Sequence, residues 1–323
     1  MKLQLKIGLI SLVLLLIALF LSISVGPVKI NILDFSQLNQ LQKTILFDIR
    51  IPRALLALIV GSALATSGAV YQTVFRNPLA DPYLLGAAAG AGLGATIALT
   101  NASSDISVLL PIFAFAGAIS AVFISFLISG KFFAQPSTLL LSGIAIGSFA
   151  TAVQTFLQQR HSSSLRPVYS WILGELTAAS WSTVRWSGIY VLLSLIVLFS
   201  IRSKLDVLLL SDEEALSLGV NANQLRIVAL AAATFATATA VSASGLIGFV
   251  GIVVPHLVKG ITHQVSNKNL PFIAMSGASF LILADLGART ILSPAELPIG
   301  VLTAFIGAPF FIAILRKRRL NSR

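Results

Sequence analysis

Residues 7–28 carry no ionisable side chain and include the run LISLVLLLIALFLSIS. A helix crossing the hydrocarbon core of a bilayer needs about 20 predominantly apolar residues. Apolar stretches of this kind return at 54–75, 82–104, 106–130, 132–159, 186–201, 271–288 and 297–315, charge-free but for Asp285. Charged residues make up 10% of the chain, against roughly 25% in a soluble domain. So few charges cannot cover a surface that faces water, and the mean hydropathy of +0.94 agrees. The solvent for most of this chain is lipid. Soluble enzymes, disordered chains and nucleic-acid-binding proteins are excluded on that ground.

The remaining apolar stretch, 227–256, is too long for one span and too short for two. Its Ser244-Gly245 pair and the run GLIGFVG predict a helix, an irregular turn and a short further helix. Broken backbone at membrane depth survives only when buried in protein or lining a cavity. The first stretch exceeds a signal-peptide core and no A-x-A site follows it, so it reads as a helix. The expectation is an all-α integral membrane protein of about ten spans, one transmembrane domain over 1–323. With about ten spans both termini share a side.

Twenty-two Lys and Arg stand against 11 Asp and Glu, a net charge of +11. In a soluble chain this balance suggests a nucleic-acid surface; in a membrane chain basic residues collect on the cytoplasmic side. Placing the termini inside puts the closing RKRR cluster there. It leaves Lys29, Lys43, Arg50, Arg53, Arg160, Arg166, Arg185 and Arg289 outside. There is no cysteine, so neither a disulfide framework nor a thiolate metal site is available. The three histidines are scattered, and no cofactor or metal site is expected. No G-x-x-x-x-G-K-[ST] occurs, so ATP hydrolysis by this chain alone is not expected.

Small residues crowd three helices: IVGSALATSGAV, GAAAGAGLGATIA and ALAAATFATATAVSASG. In lipid such residues let backbones approach closely, so tight packing is expected, with some positions left to line a path. The halves echo each other weakly, a small-residue helix followed by a proline break at NPLADP and at VVPHLVK. Asp285 is the clear ionisable group within a span, and its expected partner is Arg289 at i,i+4. The longest polar connection, about 203–225, carries Ser211 and Glu214 in capping-box spacing and a stop at Gly219. It predicts a short amphipathic helix over 212–218, with Ala215, Leu216 and Leu218 available to pack on a partner.

The run IRIPRALLALIVGSALATSGAVYQTVFRNPLADPYLLGAAAGAGLGA resembles the signature of the FecCD-type permeases, the membrane subunits of ABC importers for iron-siderophores, haem and vitamin B12. LLLSGIAIG, GLIGFVGIVVPHLVK and LADLGARTILSPAELPIGVLTAFIGAPFFIAILRK agree in order and spacing. The resemblance implies a BtuC-like, type II ABC importer fold with a second permease subunit, identical or different. It also implies two cytoplasmic ATPase subunits and an extracytoplasmic substrate-binding protein. Arg50, Arg53 and Arg289 match basic residues that meet glutamates of the binding protein. Asp212, Glu213, Ala215, Leu216, Leu218 and Gly219 match the helix that couples to the ATPase. Asn77, Pro78 and Leu79, with Gln135, Pro136 and Ser137, match the cytoplasmic gate. WILGEL is similar to a half-helix beside the pathway. A ferric siderophore is the expected cargo, with cobalamin or haem as the alternative and an ion-coupled secondary transporter as a rival of another class.

Overall fold

The computed structural model describes residues 2–26, 28, 38–101, 106–130, 136–161, 165–262 and 266–321, with side chains outside the description at 2–5, 136 and 314–321. Every regular element among the described residues is helical. α1 (Lys2–Ser24) is followed by α2 (Gln40–Thr44), a π-helical turn (Ile45–Arg50) and α3 (Ile51–Val74), which join into one rod. α4 (Ala87–Asn101), α5 (Ile106–Ser129) and α6 (Pro136–Arg160) come next, then the short α7 (Leu165–Ile172). α8 (Trp181–Leu205) leads through a 3-10 turn (Asp206–Leu209) to α9 (Asp212–Ser217). α10 (Ala222–Ser244), α11 (Val250–Thr262), a second 3-10 turn (Asn267–Asn269), α12 (Leu270–Thr290) and α13 (Ile299–Asn321) complete the chain.

Each of the ten expected spans corresponds to a helix. Among the described residues seven are long and apolar enough to cross a membrane, carried by α1, α3, α5, α6, α8, α10 and α12. α4 has 15 residues and α11 has 13, and the described apolar part of α13 covers Ile299–Ala313.

α3 stands at the centre and packs on α8, α10, α11 and α12. Its side chains are buried nearly all round, which marks a helix enclosed by other helices. Glycine makes this possible at two contacts. A Cβ at Gly61 would overlap the Gly277 carbonyl of α12, and one at Gly68 would overlap the Gly251 carbonyl of α11. With no apolar driving force between helices in lipid, such close approach is what holds them together. The flanks of α1, α5 and α8 carry exposed Leu, Ile, Val and Phe, as lipid-facing surfaces do.

The break after α10 lies at 245–249, as the SGLIGFVG run predicts. Gly245 and Ile247 are buried there, the rest half-buried, and neighbouring groups satisfy backbone at and beside the break: Tyr83 Oη donates to the Ile247 carbonyl at 3.0 Å, and Glu175 N donates to the Ser244 carbonyl at 2.9 Å. The proline echo does not hold. Pro255 lies inside α11 rather than at the break. The half-helix expected at WILGEL is α7, which lies upstream and shares only Trp171 and Ile172 with that segment.

Candidate functional site

α3 joins two polar clusters at opposite ends of the bundle. At one end Arg53, in the first turn of α3, meets Asp285 on α12 and Glu296 on the connection to α13. Its Nε donates to both Asp285 oxygens at 2.9 and 3.1 Å, and Nη2 reaches Oδ1 at 2.8 Å. The outer nitrogens grip Glu296 at 3.1 and 2.8 Å. Asp285 is 1% exposed and Arg53 is 9%, whereas Glu296 is 37% exposed. Arg289 lies 3.7 Å from Asp285 and donates to the hydroxyl and carbonyl of Ser22 in α1. Arg50 donates to the carbonyls of Ile23, Ser24 and Val28. These include carbonyls that the end of α1 leaves without helical partners, and a cation is favoured at that end of the helix dipole.

One expectation is corrected here: the chief partner of Asp285 is Arg53, not Arg289. Arg50, Arg53 and Arg289 are buried and engaged within this chain. Glu296 is the accessible member of the cluster. Beside it lies a small cavity lined by Arg53, Glu175, Thr177 and Glu296.

At the other end α9 forms as its capping signals require. Glu214 N donates to Ser211 Oγ at 3.2 Å, and Ser211 N donates to the Glu214 carboxylate at 2.9 Å. Gly219, at φ +74, closes the helix, and Val220 N reaches back to the Ala215 carbonyl at 3.0 Å. Ala215 is fully buried against its own chain, so it is not available to a partner; Leu216 and Leu218 are 69% and 61% exposed. Asp212, Glu213 and Gly219 are exposed as well. Asp212 takes two hydrogen bonds from Arg226 of α10, which hold its carboxyl below the usual carboxylate range. Hydrogen bonds from the backbone and side chain of Ser211 do the same for Glu214.

α3 ends at this same end, and residues 77–79 follow it. Asn77 Oδ1 accepts from Leu79 N at 3.0 Å, a tight polar turn, with Asn77 exposed and Pro78 and Leu79 half-buried. Ser137 is exposed in the first turn of α6; Gln135 and the side chain of Pro136 lie outside the described residues. A broad open groove runs between Asp81, Tyr83 and Gly86 on one side and Gly147, Ser148 and Thr151 of α6 on the other. Reading by spacing alone missed Glu296, Ser22 and the role of Tyr83, because each acts on a residue far away in the chain.

A helical membrane bundle with this arrangement is of a known kind. Residues 14–317 match the model of the FecCD transport family. The chain is 40% identical over 281 residues to a cobalamin import system permease protein of Halobacterium salinarum, covering 87% of this chain and 75% of the relative. It is 34% identical over 308 residues to a Fe(3+)-citrate import system permease protein of Bacillus subtilis, covering 94% and 92%. A protein described as a metal-chelate type ABC transporter, solved in an inward-facing conformation, superposes with a TM-score of 0.88 at 31% identity, over 98% of this chain and 99% of that one. The chain belongs to the FecCD transport family. It is an integral membrane permease of the ABC-importer type.

Proposed function

We propose that this chain is the translocating subunit of an importer that carries a ferric siderophore across the cytoplasmic membrane. ATP hydrolysis on two separate subunits supplies the energy. The observation that supports this best is α9: a capped helix presenting Leu216 and Leu218 at one end of the bundle, fastened through Asp212 to α10. An exposed pair of leucines on a polar connection fits an apolar groove on another protein. The α9 end faces the cytoplasm and carries both termini; Ser22 meets Arg289 at the far end, so α1 runs towards the Arg53 cluster.

The Arg53 end then faces outward and receives an extracytoplasmic binding protein. Arg50 and Arg289 brace that surface, and a carboxylate of the binding protein takes the place of Glu296 on Arg53. Residues 77–79 and the start of α6 form the inner gate, and the groove along α6 lines a path shared with a second permease subunit, identical or different. Cobalamin is the second reading for the cargo, because a cobalamin import system permease is among the relatives at 40% identity. An ion-coupled carrier is disfavoured, since Asp285, the acid such a carrier would use, is held by Arg53.

The test is reconstitution of the permease with its ATPase and binding protein in vesicles, offered a radio-iron siderophore chelate and labelled cobalamin in parallel. ATP-dependent uptake of the iron chelate is expected. Uptake that persists without the ATPase and collapses with the proton gradient overturns the reading.

A further inference from the structure

Arg76 stands at φ +48, in the left-handed region where the Cβ of an L-residue crowds the backbone and glycine does not. It closes α3. Arg76 N donates to the Thr73 carbonyl at 3.2 Å and Asn77 N to the Gln72 carbonyl at 3.0 Å, the pair of bonds that ends a helix on a left-handed residue. α9 ends on the same motif, and there the left-handed residue is Gly219. Glycine would close α3 equally well with less strain. A backbone held in an unfavourable conformation points to a use for the side chain that imposes it.

Two nitrogens of the Arg76 guanidinium hold the segment that leads into α9. Nε donates to the Leu208 carbonyl at 2.8 Å, and Nη2 donates to the Leu210 carbonyl. The same Nη2 lies 3.7 Å from Asp212, the first residue of α9. A second tie runs beside it. Asp206 accepts from Ser266 Oγ at 2.6 Å and from Asn267 N at 2.7 Å, and Asn267 accepts from Thr73 Oγ1 on α3 at 3.1 Å. Arg226 holds Asp212 from the side of α10. Directly after Arg76 come Asn77, Pro78 and Leu79. One residue therefore carries both the bonds to the α9 segment and the start of the loop assigned to the gate.

We propose that Arg76 is a positioning residue for transport: its guanidinium makes α9 and residues 77–79 move as one body, so that a displacement of α9 reaches the path. The proposal rests on the reading of α9 as the ATPase-contacting helix.

The experiment compares Arg76→Gly and Arg76→Asn with the wild type, each assembled with ATPase and binding protein in vesicles. Glycine relaxes the backbone while deleting the guanidinium, and asparagine also tolerates the left-handed conformation. The probe is whichever of a radio-iron siderophore chelate and labelled cobalamin the wild type takes up, with uptake and ATP hydrolysis read in the same vesicles. Both variants should assemble, melt at or above the wild-type temperature and hydrolyse ATP. Uptake per ATP should fall about tenfold, within the usual span of a coupling free energy. Arg76→Lys, which keeps the charge without the fork, should fall between. A wild-type ratio of uptake to hydrolysis in both variants overturns the proposal, as does a loss of uptake matched by an equal loss of assembly. A wild-type permease that neither binds the ATPase nor takes up either probe refutes the reading of α9, and this inference with it.

Discussion

Deleting one partner of the Arg53–Asp285 pair strips a buried charge of its main partner, leaving Arg53 only the half-exposed Glu296 or Asp285 only Arg289 at 3.7 Å. Breaking a buried ion pair from one side costs about 3–5 kcal/mol, whereas replacing both members by apolar residues of similar size is often neutral. Asp285→Ala should therefore lower the melting temperature in detergent sharply, and Arg53→Met with Asp285→Leu should recover most of the loss. A single variant as stable as the wild type would show that the pair holds nothing. For the same reason Arg53→Glu is a poor probe of docking, because it destroys the pair. Glu296→Gln is the better one: it frees Arg53 for a partner's carboxylate while Asp285 stays paired. Association with the binding protein should quicken several-fold at low salt, and the gain should shrink as salt rises. An unchanged rate at low salt would remove Arg53 from the docking surface. Asp285 was legible in the sequence as an intramembrane acid, and Arg289 as its neighbour on one helix face. Arg53 lies 232 residues from Asp285 and shares no local pattern with it, so only the folded chain brings them together.

α9 was legible at the level of an element because its signals are local: Ser211, Glu214 and Gly219 lie within one short segment. The inward turn of Ala215 was not, because six helical residues have too little period to say which side meets the bundle. The Asp212 carboxyl lies below its ordinary range through hydrogen bonds from Arg226, so its contribution is present above the unfolded carboxylate range and is lost as pH falls through the lowered folded value. Amide protection over 215–220 should thus drop at acid pH below the usual carboxylate range, and Asp212→Asn should flatten that dependence. Protection that is equally pH-dependent in the variant would place the titrating group elsewhere. Glycine packing offers a sharper test. Gly61→Val sets a side chain against the Gly277 carbonyl, which is backbone and cannot yield cheaply. Overpacking costs about 1–3 kcal/mol or more. The variant should melt lower and lose α3–α12 packing, whereas Gly260→Ala, with open space around it, should not. The small-residue runs announced close packing, but which glycine meets which carbonyl depends on helix crossings that no local pattern encodes.

For the whole molecule, the apolar stretches mark ten of the helices in order, α2, α7 and α9 lying outside them, and the short α11 is the half-length element that the broken run implied. What the stretches do not fix is sidedness. The chain has no cysteine, so single cysteines report it directly. Leu216→Cys should react with an impermeant thiol reagent only from the cytoplasm, and Arg166→Cys, exposed at the Arg53 end, only from outside. The reverse pattern would invert the proposed topology and take α9 out of reach of any cytoplasmic ATPase. The most direct measurement of the central claim is uptake of a radio-iron siderophore chelate by vesicles holding the permease, its ATPase and its binding protein, with ATP inside and no ion gradient. Uptake should proceed, stop when the ATPase loses its phosphate-binding lysine, and ignore a protonophore. Uptake that survives the dead ATPase and ends with the protonophore would contradict the account.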